Sequence, residues 1–325
     1  MNDRRRFIVA LAACTLVGPQ EAFAQQVPGK LPRIGILLFN SPQSDPIAPL
    51  LQGLQALGYV DGKTVAIVYR FAEGKPERLP GLASELVQLK PDVIFAYGGD
   101  VAPHAKKATG SIPIVVMVSN DPVQSGLVAS IGRPGANITG ITLIYDELAG
   151  KVVELLKETV PTISRVAVLW NPNHADPEFR ETQRAADTLG VRLQSLEVRR
   201  PSDFDGAFKA ATNERAEGLI AVSTRLLLQQ QRQILDFGTN NRIIMAGSWG
   251  DWAKDGMLLS YGPNPAEAVR RVAVYVDKIL KGVRPADLPI ERPSRFELVV
   301  NLKTAKTLGI KIPNSVMARA DRIIE

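Results

Sequence analysis

The chain has 325 residues, 45% of them hydrophobic and 22% charged, with a formal net charge of +6. That is enough for one large or two ordinary domains, with the balance of a soluble globular protein rather than of a disordered or fibrous one. The basic residues interleave with Asp and Glu along each expected helix instead of gathering in one patch, and no nucleic-acid-binding module is present, so nucleic acid is not expected as a partner.

Residues 1–24 read as an export leader. Arg4-Arg5-Arg6 is a basic start, residues 7–17 are an apolar run, and Ala22-Phe23-Ala24 offers small residues to a signal peptidase. The apolar run is too short for a membrane span, which needs ~20 residues. No later run reaches that length, so no span is expected. Asp3-Arg4-Arg5-Arg6-Phe7-Ile8 also resembles a twin-arginine export signal. Leu11-Ala12-Ala13-Cys14 resembles a lipobox that would anchor the chain at its one cysteine. Cleavage after Ala24 is preferred, because the lipobox would leave a very short signal. The exported chain then has no cysteine, no disulfide and no thiol chemistry, and its expected place is the periplasm.

From residue 33 the pattern is strand, then helix, repeated. Strands are expected at 33–39, 64–71, 93–97 and 112–118, with a short glycine-rich one at 135–144. Helices are expected from the turn at 40–46 to residue 57, and at 77–89 and 101–108, closed by stops such as Gly58 and Pro91. A strong helix at 147–159 leads to a restart. Residues 165–173, RVAVLWNPN, echo residues 33–42, RIGILLFNSP. Strands follow at 191–198, 218–222, 243–246 and 256–261, and helices at 177–189, 203–215, 225–237 and 265–280. Residues 282–293 read as a linker, 296–301 as a strand and 302–308 as a helix. Strands separated by helices imply parallel sheets covered on both faces. The fold class expected is α/β, with two doubly wound parallel-sheet lobes. The expected division is 30–143 with 259–290, and 144–258 with 291–325.

In open parallel sheets, ligands sit beyond the carboxyl ends of the strands. The strand-to-helix turns there read Asn40-Ser41, Gly98-Gly99-Asp100, Ser119-Asn120-Asp121, Trp170-Asn171, Ser223-Thr224 and Gly247 to Asp251. Each mixes hydroxyl, amide or carboxylate groups with glycine or an aromatic. Taken singly, such residues are ordinary helix caps; the case for a site is that several turns converge. Enzyme motifs are missing. Neither GxGxxG nor GxxxxGKS/T occurs, so no standard nucleotide cradle is expected. Only His104 and His174 exist, in different halves, too few for a metal centre. Ser248 sits in a loose nucleophile elbow, but the hydrolase order needs a later His and none follows. No cofactor, metal or catalytic residue is expected. Trp170, Trp249 and Trp252 fall at or past strand ends, where each either fills core or stacks on a ligand.

The exported chain resembles the substrate-binding proteins of ABC importers with the type I periplasmic-binding fold, and most of all the family of tryptophan- and tyrosine-binding proteins. The matching stretches are residues 53–74, GLQALGYVDGKTVAIVYRFAEG; 121–140, DPVQSGLVASIGRPGANITG; RVAVLWNPN; 258–264, LLSYGPN; and 293–313, PSRFELVVNLKTAKTLGIKIP. The resemblance implies two lobes joined by three crossing segments that close on a small molecule, with an ABC permease and its ATPase as partners. A monomer is expected. The ligand expected is a small amino acid or similar carboxylate. The residues expected to hold it are Asn40, Ser41, Gly99, Ser119 and Asp121 from the first lobe, and Trp170, Asn171, Ser223, Thr224, Trp249 and Asp251 from the second. Groups near Gly99 and Ser119 are assigned to the carboxylate and Asp251 to an ammonium. The other readings are a periplasmic sensor module signalling to a receptor or kinase, and an esterase-type hydrolase.

Overall fold

The computed structural model describes residues 31–43, 45–143, 146–173 and 178–325. The leader, Cys14 and His174 lie outside the described residues. The first sheet is built from β1 (Arg33–Leu38), β2 (Ala66–Phe71), β3 (Val93–Tyr97), β4 (Ile114–Val118) and β5 (Ile138–Thr142), in the order β2-β1-β3-β4-β5 and wholly parallel. The intervening helices are α1 (Ala48–Ala56), α2 (Leu79–Gln88) and α3 (Ala102–Ala108).

The chain then passes into a second sheet through α4 (Asp146–Thr159). Its strands are β6 (Arg165–Trp170), β7 (Arg192–Glu197), β8 (Gly218–Ala221), β9 (Ile244–Gly247), β10 (Leu259–Pro263), β11 (Phe296–Asn301) and β12 (Arg322–Ile324). Their order is β12-β11-β10-β9-β8-β6-β7, parallel except where β10 meets β11. The helices are α5 (Glu178–Thr188), α6 (Phe204–Asn213), α7 (Arg225–Gln229), α8 (Gln231–Asn240), α9 (Gly250–Lys254), α10 (Pro265–Leu280), α11 (Leu302–Leu308) and α12 (Asn314–Met317). The helix expected over 225–237 is therefore two, broken at Gln230, where the sequence runs through three consecutive glutamines.

Side chains of a strand alternate between faces, and β1 shows why a run of aliphatics is needed. Ile34, Ile36 and Leu38 join one core with α1 and α10, while Leu37 joins another with α2 and α3. Both faces are dry, so polar residues have no place in the strand. In the second lobe, Val166 and Val168 pack toward α4 and α12 while Ala167 and Leu169 pack toward α6 and α8.

The chain crosses between the sheets three times: after β5, after β10, and before β11. The expected boundary at residue 259 is corrected. β10 pairs with β9 and β11, so residues 259–263 belong to the second sheet, and the return to the first lobe begins with α10. That helix lies against α1, where a side chain on Gly53 would stand 2.8 Å from Ala273 Cβ. Asn264 caps it at the crossing, its Oδ1 accepting from the N–H groups of Ala266 and Glu267 at 3.0 and 3.2 Å.

Candidate functional site

Strand ends of the two sheets meet across a line of polar turns. After β1, Asn40 donates from its backbone N to Asp45 Oδ2 at 2.9 Å and from Nδ2 to Asp45 Oδ1 at 2.8 Å. These bonds let Asp45 sit buried beside Phe39 at the rim of the first lobe. After β3, Gly98 adopts φ +116°, and Gly99 lies so close to the amide of Asn120 that a Cβ would stand 2.8 Å from its Oδ1. After β4, Asn120 is fixed by its carbonyl, which accepts from Thr142 Oγ1 at 2.9 Å, while its side-chain Oδ1 is buried with no hydrogen-bond partner.

In the second lobe Glu178, at the start of α5, is buried. It accepts from the backbone N of Ser223 at 3.2 Å and from Ser248 Oγ at 3.5 Å, tying the ends of β8 and β9 together. Ser223 Oγ is buried without a partner. Thr224 caps α7, its Oγ1 accepting from Leu227 N at 3.4 Å.

The first residue of α7, Arg225, reaches out of the second lobe into the first. Its Nε and Nη2 donate to Asp100 at 2.7 and 3.1 Å, Nη1 to Asp45 Oδ1 at 3.3 Å, and Nη2 also to the carbonyl of Tyr97 at 3.1 Å. Its guanidinium carbon lies 4.9 Å from the centre of the Phe39 ring and 5.8 Å from that of Tyr97. Gln229 adds a second bridge, donating to Asn40 Oδ1 at 3.2 Å. Burial works against the charge of Arg225, but Asp100 and then Asp45 outweigh it, and its pKa is raised. The Tyr97 phenol is pushed up to about 12 by burial, with Arg225 opposing and Asp45 and Asp100 reinforcing, so it is a neutral donor at physiological pH.

The expected site residues divide. Asn40, Gly99, Ser223 and Thr224 stand at this contact or directly beside it. Ser41 and Ser119 lie half-buried in the same turns. Asp121 closes its own turn, its Oδ1 accepting from Val123 N at 2.7 Å. The second-lobe aromatics are otherwise employed. Trp170 stacks on Phe179 at 4.2 Å and donates to Ser195 Oγ at 2.8 Å, and Asn171 Oδ1 accepts from Asn173 N at 2.9 Å. Trp249 and Trp252 lie 4.9 Å apart within the core under α9. Asp251 needs correcting as the ammonium partner. Its side chain is 76% exposed and pairs with Lys254 at 2.8 Å on its own helix. Asn40 meets Gln229 of the second lobe.

Sequence reasoning missed Arg225, Asp45, Tyr97 and Glu178, and it named the turn of Asn120 without choosing that residue. The only local sign of Arg225 was its place just after Ser223-Thr224, where a strand end opens a helix. A separate open groove, with a cavity volume of about 80 Å³, follows the crossings beside Pro263, Asn264 and Glu291. There the Arg271 guanidinium is already committed to both oxygens of Glu291 at 3.0 Å. Among the described residues no helix is long and apolar enough to cross a membrane, and no group of three or more His, Cys, Asp or Glu could hold a metal ion.

Residues 44–324 match the family described as ABC transporter substrate binding protein. A tyrosine-binding protein of Clostridioides difficile is 23% identical over 264 residues, 80% of this chain and 75% of that protein. Among solved structures, a conserved domain protein from Vibrio cholerae is 27% identical with a TM-score of 0.84, over 90% of this chain and all of that one. A Streptococcus pneumoniae ABC domain in complex with L-Trp is 23% identical with a TM-score of 0.82, over 91% of this chain and 100% of that one.

Proposed function

The chain belongs to the family of ABC transporter substrate-binding proteins, and from that premise we propose that it is an exported receptor that captures an amino acid or related carboxylate between its lobes. Hinge closure then presents the loaded form to an ABC permease and its ATPase. We read it as a binding protein without turnover, working in the periplasm after removal of residues 1–24. The observation that carries the reading is the meeting of strand-end turns from both sheets at Arg225. A ligand held there touches both lobes at once, so it favours the closed form over the open one. A shift from mostly open to mostly closed needs a preference of about 5 kcal/mol, within the ~8 kcal/mol that a micromolar ligand supplies.

Two buried atoms without partners, Asn120 Oδ1 from the first lobe and Ser223 Oγ from the second, support a polar ligand in contact with both. Leaving such atoms unmatched costs roughly 1–3 kcal/mol each, which a ligand recovers. The tyrosine-binding relative and the tryptophan complex support an amino acid. The ammonium falls to the rim of the first lobe, where the carboxylates of Asp45 and Asp100 outnumber the one guanidinium beside them, in place of Asp251. The test is a thermal-shift screen of amino acids, their deaminated acids and small carboxylates, alongside native mass spectrometry of what co-purifies. Stabilisation by an amino acid, and less by its deaminated acid, is expected. Stabilisation by none of them overturns the ligand claim.

A further inference from the structure

Among the described residues every partner of the Arg225 guanidinium belongs to the first lobe, while Arg225 itself is the first residue of a helix in the second. Asp45 follows β1, Asp100 and the Tyr97 carbonyl lie at the end of β3, and Phe39 and Tyr97 supply rings. The first lobe is shaped for this group. A Cβ on Gly98 would stand 2.2 Å from Arg225 Nη2 and 2.5 Å from Asp100 Oδ1, so the bare glycine leaves the space that the guanidinium fills. The planar fork meets both oxygens of Asp100, a geometry that a lysine ammonium cannot reproduce. The Arg225 side chain is 18% exposed and that of Asp45 only 3%, so the pair is largely withdrawn from water in the closed arrangement.

We propose that Arg225 is a closure latch and a determinant of ligand affinity: it docks on Asp100 and Asp45 whether or not a ligand is present, so the protein itself supplies part of the drive to close. The inference rests on the receptor reading above for its consequence, not for its geometry. A rotation about the crossings that parts the lobes breaks all of these bonds together, along with the Gln229–Asn40 bridge. The apparent affinity of a ligand that needs the closed form scales with the fraction of receptor already in it. A latch that raises a small closed fraction tenfold therefore tightens binding tenfold without touching the ligand.

The experiment reads lobe separation directly. Spin labels are placed through Lys75→Cys in the first lobe and Arg232→Cys in the second, in the chain from residue 25 on, where no other cysteine occurs, stripped of ligand by unfolding and refolding. Pulsed-resonance distances are then compared with the same protein carrying Arg225→Gln, Arg225→Lys or Asp100→Asn. The latch predicts a short-distance population in the parent and at least a tenfold fall in the closed-to-open ratio in Arg225→Gln and Asp100→Asn, with Arg225→Lys between. Asp100 is 37% exposed and lies in the opposite lobe, so its variant breaks the same bond even where a change at α7 impairs folding. Identical distance distributions in parent and variants, whether open or closed, overturn the proposal. The distances need neither ligand nor permease, so failure to find a stabilising amino acid leaves this result to stand or fall by itself.

Discussion

β5 lies close against β4 at Gly140, and Gly140→Ala should cost several kcal/mol of stability. The residue lies opposite Val116 in the β4–β5 pair, with φ +144°. An added Cβ would stand 2.0 Å from the Val116 carbonyl oxygen and 2.6 Å from its nitrogen. Both are backbone atoms and cannot rotate aside. The strained backbone alone costs of order 1–3 kcal/mol. Forcing β5 away from β4 adds an overpacking cost of about 1–3 kcal/mol. The damage spreads toward the crossings, because the Gly140 carbonyl accepts from Glu291 N at 2.9 Å and Thr142 Oγ1 holds the Asn120 carbonyl. A total loss of roughly 2–6 kcal/mol is expected. With a urea dependence of about 2–3 kcal/mol per molar, the unfolding midpoint should fall by roughly 0.7–3 M, read by circular dichroism on the exported chain. A loss below about 1 kcal/mol would refute the reasoning, since it would mean that β5 does not hold this register.

Ser223→Ala should leave the unliganded protein as stable or slightly more so, because the buried hydroxyl it removes has no partner; the stabilising effect of the bound amino acid should shrink by about 0.5–1.5 kcal/mol, read as a smaller thermal shift. Asp251→Asn should leave ligand affinity unchanged by calorimetric titration, and its exposed pair with Lys254 should be worth no more than about 1 kcal/mol of stability. Tyr97 should make the protein sensitive to alkali. Its phenol is raised to about 12 mainly by burial, so the fold favours the neutral form. That contribution is whole below the ordinary tyrosine value of about 10 and is lost as pH rises from there to about 12. The urea midpoint should fall across that window, and less steeply in Tyr97→Phe.

The repeat of RIGILLFNSP and RVAVLWNPN made two parallel sheets legible, because strands dry on both faces must read as unbroken aliphatic runs. Boundaries were less legible where the signal was tertiary. β12 has three residues, two of them isoleucine, and counts as a strand only because β11 lies beside it. β10 looked like a strand of the first lobe because α10, which follows it, does belong there. The tryptophans, readable as core or as ligand stackers, could not be decided from sequence for a similar reason. Trp249 and Trp252 lie past the end of β9, but α9 folds back over the sheet and buries them against Met245 and Met257. Arg225 was invisible locally. In the stretch VSTRLLL an arginine reads as a solvated helix start, and its partner Asp100 is 125 residues away in sequence.

Arg225 also changes what the cleft asks of a ligand. Its guanidinium is shared between Asp100 and Asp45, so it has little net attraction left for a ligand carboxylate, and two carboxylates to one guanidinium leave an excess of negative charge at the rim. The buried Asn120 Oδ1 is another acceptor in want of a donor. A group rich in N–H donors fits such a rim better than an anion does, and in an amino acid that group is the ammonium. The ammonium end should therefore lie toward Asn120 and the rim of the first lobe, while the carboxylate takes donors elsewhere, among them backbone N–H groups and the Ser223 hydroxyl. In that orientation the ammonium uses Asn120 and the excess negative charge of the rim while Arg225 keeps its bonds to Asp100 and Asp45, so ligand and latch favour the closed form together.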